Sequence, residues 1–161
     1  MFINKLTVSF AALLFLATAA GLYVYRPVQE FSKDIDPQLE QVVAMLDGIK
    51  KTKNVDVIDL LDGKLKQQTE ISPNERTVLE IMDQHNIKRV LYSDVVEPRA
   101  MFILSSFSLG AIWYYIYSPD GYTEEEQVSS IYETVKHTTN DVYHFCEKMN
   151  QNYWFLCTSR N

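Results

Sequence analysis

Ala100–Tyr117 reads AMFILSSFSLGAIWYYIY. Two apolar runs, Ala100–Ser106 and Ala111–Tyr117, are rich in Ile, Phe, Trp and Tyr, and the Ser- and Gly-containing stretch Phe107–Gly110 separates them. Aromatic and β-branched runs bounded by turn residues predict a β-hairpin. The alternation begins just upstream, where Arg89–Ser93 reads as a strand. Downstream, Ser118-Pro119-Asp120-Gly121 is a turn in which Pro presets φ and Gly accepts φ > 0. Asp141–Lys148 and Tyr153–Ser159 form a second predicted hairpin across the Met149–Asn152 turn.

Helical spacing dominates on the N-terminal side of this region. Asp36-Pro37 supplies an N-cap and a first-turn Pro. Leu39, Val42, Val43, Leu46 and Ile49 then recur at helical spacing, and the basic cluster Lys50-Lys51-Thr52-Lys53 suits a helix C-terminus. Ser72-Pro73-Asn74-Glu75 has the spacing of a capping box, Val78, Leu79 and Met82 form the inner stripe, and Asn86 is a stop signal. Thr123 to Glu126 is a second capping-box match, followed by Val128, Ile131, Tyr132 and Val135. Val55–Leu65 fits a short helix or a strand beginning at Val55-Asp56-Val57.

The coarse order is α-α-α-β-β-β-α-β-β. Runs of helices followed by runs of strands argue for an α+β domain with an antiparallel sheet rather than βαβ units. We expect about five strands with one inserted helix, one sheet face covered by helices and the other partly exposed. The domain spans residues 35–161, after a tail at 1–5, an apolar segment at 6–25 and a linker at 26–34. Internal repeats and low-complexity tracts are absent.

Leu6–Tyr25 contains twenty residues without a charge. As a helix it spans ~30 Å, a bilayer core. Tyr23 and Tyr25 suit an interface, and Lys5 and Arg26 close the two ends. A competing reading is a cleavable signal peptide, with Thr7–Leu16 as its apolar region and Ala17-Thr18-Ala19 as the cleavage site. Apolar character runs past that site, which favours an anchor that stays. The short N-terminal tail favours insertion with the C-terminal domain outside the cytoplasm. The expected protein is therefore single-pass, contacting the lipid bilayer through residues 6–25.

The chain carries a formal charge of −6. Beyond Arg26, 13 basic and 21 acidic residues leave −8. That balance repels phosphate backbones, and there is no basic run, so nucleic acid is not an expected partner. The acidic residues are scattered, apart from Glu124-Glu125-Glu126, as on a solvated surface. A G-x-S-x-G elbow and a Gly-rich phosphate loop are both missing, and nothing singles out a pair of glycosidase carboxylates.

Cys146 and Cys157 face each other if the last turn is centred on Gln151-Asn152. They are therefore disulfide candidates in an oxidising compartment, against the alternative of two buried thiols. His144 shares a strand face with Cys146, making that pair a weak catalytic candidate. With Cys157 they would offer three zinc ligands. A fourth at family spacing is lacking, so we expect no metal and no cofactor. His85 and His137 fall near predicted helix C-termini, where helix-end charge accounts for them.

Aromatic density is the most distinctive feature. Trp113, Tyr115 and Tyr117 share one face of their strand, and Tyr143, Phe145, Trp154 and Leu156 share one face of the last hairpin. Trp113, Tyr115, Tyr117, Tyr143 and Trp154 are the expected binding residues for a protein partner, against the alternative of ordinary core. The sequence thus predicts a membrane-tethered extracytoplasmic binding domain, such as an immunity or inhibitor protein or an envelope accessory subunit. An envelope-acting hydrolase using His144 and a purely structural protein are the alternatives.

Overall fold

The computed structural model describes residues 31–61, 71–95, 99–104, 110–119, 121 and 127–160. Its elements are α1 (Pro37–Lys53), β1 (Val57–Leu61), α2 (Pro73–Gln84), β2 (Ile87–Ser93), β3 (Arg99–Leu104), β4 (Ala111–Tyr117), α3 (Ile131–His137), β5 (Tyr143–Lys148) and β6 (Trp154–Arg160). The expected apolar segment Leu6–Tyr25, its cleavage site and the linker before Phe31 lie outside the described residues. Among the described residues no helix is long and apolar enough to cross a membrane.

Two of the three helix starts read from sequence use the expected caps. Asp36 accepts from the Gln38 amide at 2.9 Å, and Pro37 opens α1. Ser72 and Glu75 form a reciprocal capping box at α2. Side-chain acceptors at these positions satisfy amides that a helix leaves unpaired in its first turn. The α1 stripe Leu39, Val42, Leu46 and Ile49 is buried. The helix ends as Asn54 turns left-handed at φ 51°, its amide bonded to the Lys50 carbonyl. Asn86 turns left-handed in the same way after α2, at φ 55°.

All strand pairs are antiparallel, and the sheet order is β1-β2-β3-β4-β6-β5. Among the described residues the sheet has six strands, where about five were expected. The extra strand is the segment the sequence left open. In β1, Ile58 and Leu60 point inward and Val57 and Asp59 outward, a period of two. Ile58 lies opposite Tyr92 and Leu60 opposite Val90, so pairing with β2 decides between two local patterns. On the outer side Arg89 donates to both Asp59 oxygens, at 2.8 and 2.7 Å.

The inserted helix also differs from expectation. It begins at Ile131 with Ser130 as its cap, not at the Thr123–Glu126 match. Residues 122–126 lie outside the described set. Gln127 instead makes a parallel bridge to Cys146, and the Val128 amide donates to the Cys146 carbonyl at 2.8 Å. That hydrogen bonding to the edge of β5 holds the chain extended up to Ser130.

The described helices α1, α2 and α3 lie on one sheet face. Val90, Phe102, Tyr115 and Leu156 form its floor, and α3 joins through a Trp113–Tyr132 stack at 5.4 Å. The opposite face also carries a buried cluster, Tyr114, Ile116, Cys146, Phe155 and Cys157, flanked by Met101 and Ile103. Aromatics are thus buried on both faces, while the face away from the helices stays partly exposed at Val57 and Ile112, as expected.

Candidate functional site

The register of the last hairpin is the one inferred from its turn. Cys146 lies opposite Cys157, with their sulfurs 2.07 Å apart in a disulfide. His144 stands two residues before Cys146 on the same face. Its Nε2 is 2.7 Å from the Tyr114 hydroxyl and 3.5 Å from the Cys146 sulfur. Donor atoms of His144, Cys146 and Cys157 all lie within 4.8 Å of one another. With the two sulfurs joined, however, neither is available as the thiolate that a metal or a nucleophilic mechanism requires. The arrangement favours a covalent clasp with a histidine–tyrosine contact beside it. His85 and His137 stand at helix C-termini, near Asp36 and Glu133 respectively.

The five aromatic residues expected to bind do not form one patch. Trp113, Tyr115 and Trp154 are buried on the helix-covered face and serve the core there. Tyr143 lies on edge strand β5 opposite Arg160, with its ring stacked on Phe145 at 5.2 Å. Tyr117 sits at the other end of the sheet, opposite Trp154, with ring centroids 5.3 Å apart. Of the five, Tyr117 and Tyr115 each line a groove, and that of Tyr117 is the larger of the two.

That groove has a volume of about 430 Å³ and runs between α1 and the end of the sheet where β4 and β6 meet. Val43, Ala44 and Pro119 supply apolar lining, and Glu40 and Asp47 supply carboxylates from the same side of α1. Tyr92, Tyr117 and Tyr153 supply rings. Tyr117 and Tyr153 meet nearly at right angles, with centroids 6.4 Å apart and planes at 77°. The edge of one ring thus meets the face of the other, and the two together make a corner.

The hairpin tip holds Tyr153 in an unusual state. Its φ is +70°, a region that costs a bulky residue about 1 kcal/mol or more. The Tyr153 carbonyl accepts from the Ser118 amide at 2.8 Å, and the Met149 amide donates to the Trp154 carbonyl at 3.0 Å. These bonds fix the tip while Tyr153 stays 50% exposed.

Burial and neighbouring carboxylates favour the neutral hydroxyls of Tyr92 and Tyr117. Burial, then Asp47 and Asp94, push Tyr92 up to about 12, and its hydroxyl lies 3.5 Å from an Asp47 oxygen. Burial, then Glu40 and Tyr153, raise Tyr117 above its ordinary value. Asp47 also receives Lys51 at 2.5 Å. Among the described residues, no hydrogen bond or ion pair engages the Glu40 carboxylate.

A second groove, of about 360 Å³, lies at the start of α1 against Ser32, Asp34, His85 and Tyr115. His144 lines neither groove.

Sequence reasoning missed Glu40, Asp47 and Tyr153 as groove residues. Their only local signal is a pair of acids seven apart on α1, next to the partly buried Val43. Glu147 was also missed. This buried carboxylate accepts from the Ile131 amide at 2.9 Å and from Lys33 at 2.5 Å, tying the start of α3 and the segment before α1 to β5. Its signal was available, since Glu147 shares the inward phase of Tyr143 and Phe145. No family model, curated protein or solved structure matches this chain.

Proposed function

We propose that the chain is a membrane-tethered, extracytoplasmic binding domain that receives a protein partner in the tyrosine-lined groove between α1 and the β4–β6 end of the sheet. The groove carries this reading. It combines exposed aromatic surface, two carboxylates and a hairpin tip held in a costly conformation, as expected where a scaffold preserves a shape for recognition rather than for stability. The uncharged Leu6–Tyr25 segment supports the tether. The Cys146–Cys157 clasp supports an oxidising compartment on the far side of the membrane. An inhibitor, an immunity protein or an envelope accessory subunit is consistent with these features.

A hydrolase centred on His144 would need a cleft that holds this side chain beside a carboxylate. No observation among the described residues favours it.

Site-directed photo-crosslinking in intact membranes tests the proposal. A benzoylphenylalanine in place of Tyr153 should capture one discrete partner, whereas the same probe at the exposed Ile112, on the opposite sheet face, should not. Equal capture from both positions would refute recognition by the groove. A reporter fused after residue 40 and active only in the cytoplasm would refute the assigned side of the membrane.

A further inference from the structure

The shape and charge of the groove specify what it can hold. We infer that the groove receives the guanidinium of an arginine side chain presented by the partner polypeptide, with its stem on Tyr117 and Tyr153 and its charge at Glu40. This inference deepens the binding reading above and rests on it.

Charge comes first. Among the described residues, the acidic groups lining the groove, Glu40 and Asp47, come from α1, and no basic residue lines it. Asp47 is already engaged by Lys51 and the Tyr92 hydroxyl. Glu40 is exposed, and nothing among the described residues pairs with it. A cation therefore gains most at Glu40. The −8 charge beyond Arg26 adds a long-range field that draws basic partners and repels acidic ones.

Shape separates arginine from the other cations. Tyr117 and Tyr153 meet edge to face, with their planes at 77°, and Tyr153 is half exposed. A guanidinium is planar and weakly hydrated, so it stacks on one ring while donating in its own plane to a carboxylate. An ammonium is compact and strongly hydrated, and it gives up more on leaving water. The groove volume of about 430 Å³ exceeds one arginine side chain, leaving room for flanking backbone along Val43 and Pro119. The tyrosine hydroxyls can hydrogen-bond that backbone.

Tyr153 is the positioning element. Its backbone is left-handed at the hairpin tip, and its ring packs against Tyr117. Asn adopts the same backbone readily but has no ring. A Tyr153→Asn variant thus removes the corner and leaves the hairpin intact.

The test uses the full chain in detergent micelles, titrated with acetyl-Gly-Arg-Gly-amide and read by amide chemical shifts. The citrulline peptide is the neutral isostere, and the lysine peptide the alternative cation. We expect saturable millimolar binding that moves the Tyr117 and Tyr153 amides. The lysine peptide should bind more weakly and the citrulline peptide about tenfold more weakly. Glu40→Gln and Tyr153→Asn should each weaken the arginine peptide about three- to fivefold, with native spectra.

Equal affinity for arginine and citrulline would overturn the inference. So would an unchanged affinity in both variants, or no saturable binding to a folded protein. The two proposals fail separately. Photo-crosslinks from Tyr153 that survive Glu40→Gln, and that excess arginine peptide does not compete away, would leave the groove as a binding site and remove arginine. Loss of all crosslinks from the groove would remove the binding reading itself.

Discussion

Glu147→Ala should be the most damaging single truncation of a charged side chain in this domain. The carboxylate is buried on β5, where its two oxygens have separate tasks. One accepts from the Ile131 amide at the first residue of α3, and Ile131 is itself fully buried. The other accepts from Lys33, whose side chain is 44% exposed. Truncation leaves the Ile131 amide without its acceptor in a dry site, which costs about 2–3 kcal/mol for a bond to a charged group. Lys33 can return to water, so its share stays below about 1 kcal/mol.

The sum is about 3 kcal/mol, or a fall of roughly 10 °C in melting temperature for a domain of this size. Glu147→Gln keeps an acceptor for the amide and should cost about half as much. Lys33→Met should cost under about 1 kcal/mol and should add almost nothing to Glu147→Ala. Circular dichroism melts of the full chain in micelles give the stabilities, and hydrogen exchange at the Ile131 amide gives the local effect. If Glu147→Ala lies within about 0.5 kcal/mol of wild type, the inward carboxylate is not what fixes α3.

Three further outcomes follow from other sites. Reducing the Cys146–Cys157 bond, whose ends are 11 residues apart, should lower stability by about 3 kcal/mol in urea titrations; free thiols at both positions in the oxidised protein would refute the clasp. Burial and then Tyr132 push Tyr115 up to about 12, so the fold favours its neutral hydroxyl. The stability this confers is complete below pH 10 and is lost as pH rises toward 12. Alkaline unfolding should therefore be less steep in Tyr115→Phe, and an unchanged pH profile would contradict the assignment. Tyr153→Asn should leave the melting temperature unchanged or raise it, because Asn tolerates the left-handed backbone at lower cost. A loss above about 1 kcal/mol would show that the ring's packing outweighs that strain.

Features set by short-range chemistry were legible in the sequence. Asp36-Pro37 and Ser72–Glu75 cap their helices because the acceptors lie within a few residues of the amides they satisfy. The last hairpin kept its register because a short turn leaves little freedom. Val55–Leu65 failed locally because four apolar residues fit both periods, and only the pairing of Ile58 with Tyr92 decides between them. The α3 boundary moved because Gln127 and Val128 hydrogen-bond to β5, which a capping-box match cannot anticipate. The aromatic faces were grouped correctly by alternation, but alternation carries no information on which face the helices cover. The groove was illegible for a related reason: its rings and carboxylates come from four distant stretches, at residues 40–47, 92, 117 and 153.

The strand order also bears on how the domain is made. β4 lies in the interior of the sheet, yet its second neighbour is β6, which is synthesised after β5. Until Trp154–Arg160 arrives, the strand Ala111–Tyr117 presents a free backbone edge with a tryptophan and tyrosines on its faces. Such an edge readily pairs with the wrong chain. A ribosome that stops short of Trp154 therefore releases a protein open at its middle rather than missing its end. Chaperones and proteases that survey nascent chains would have a long window in which to act on it.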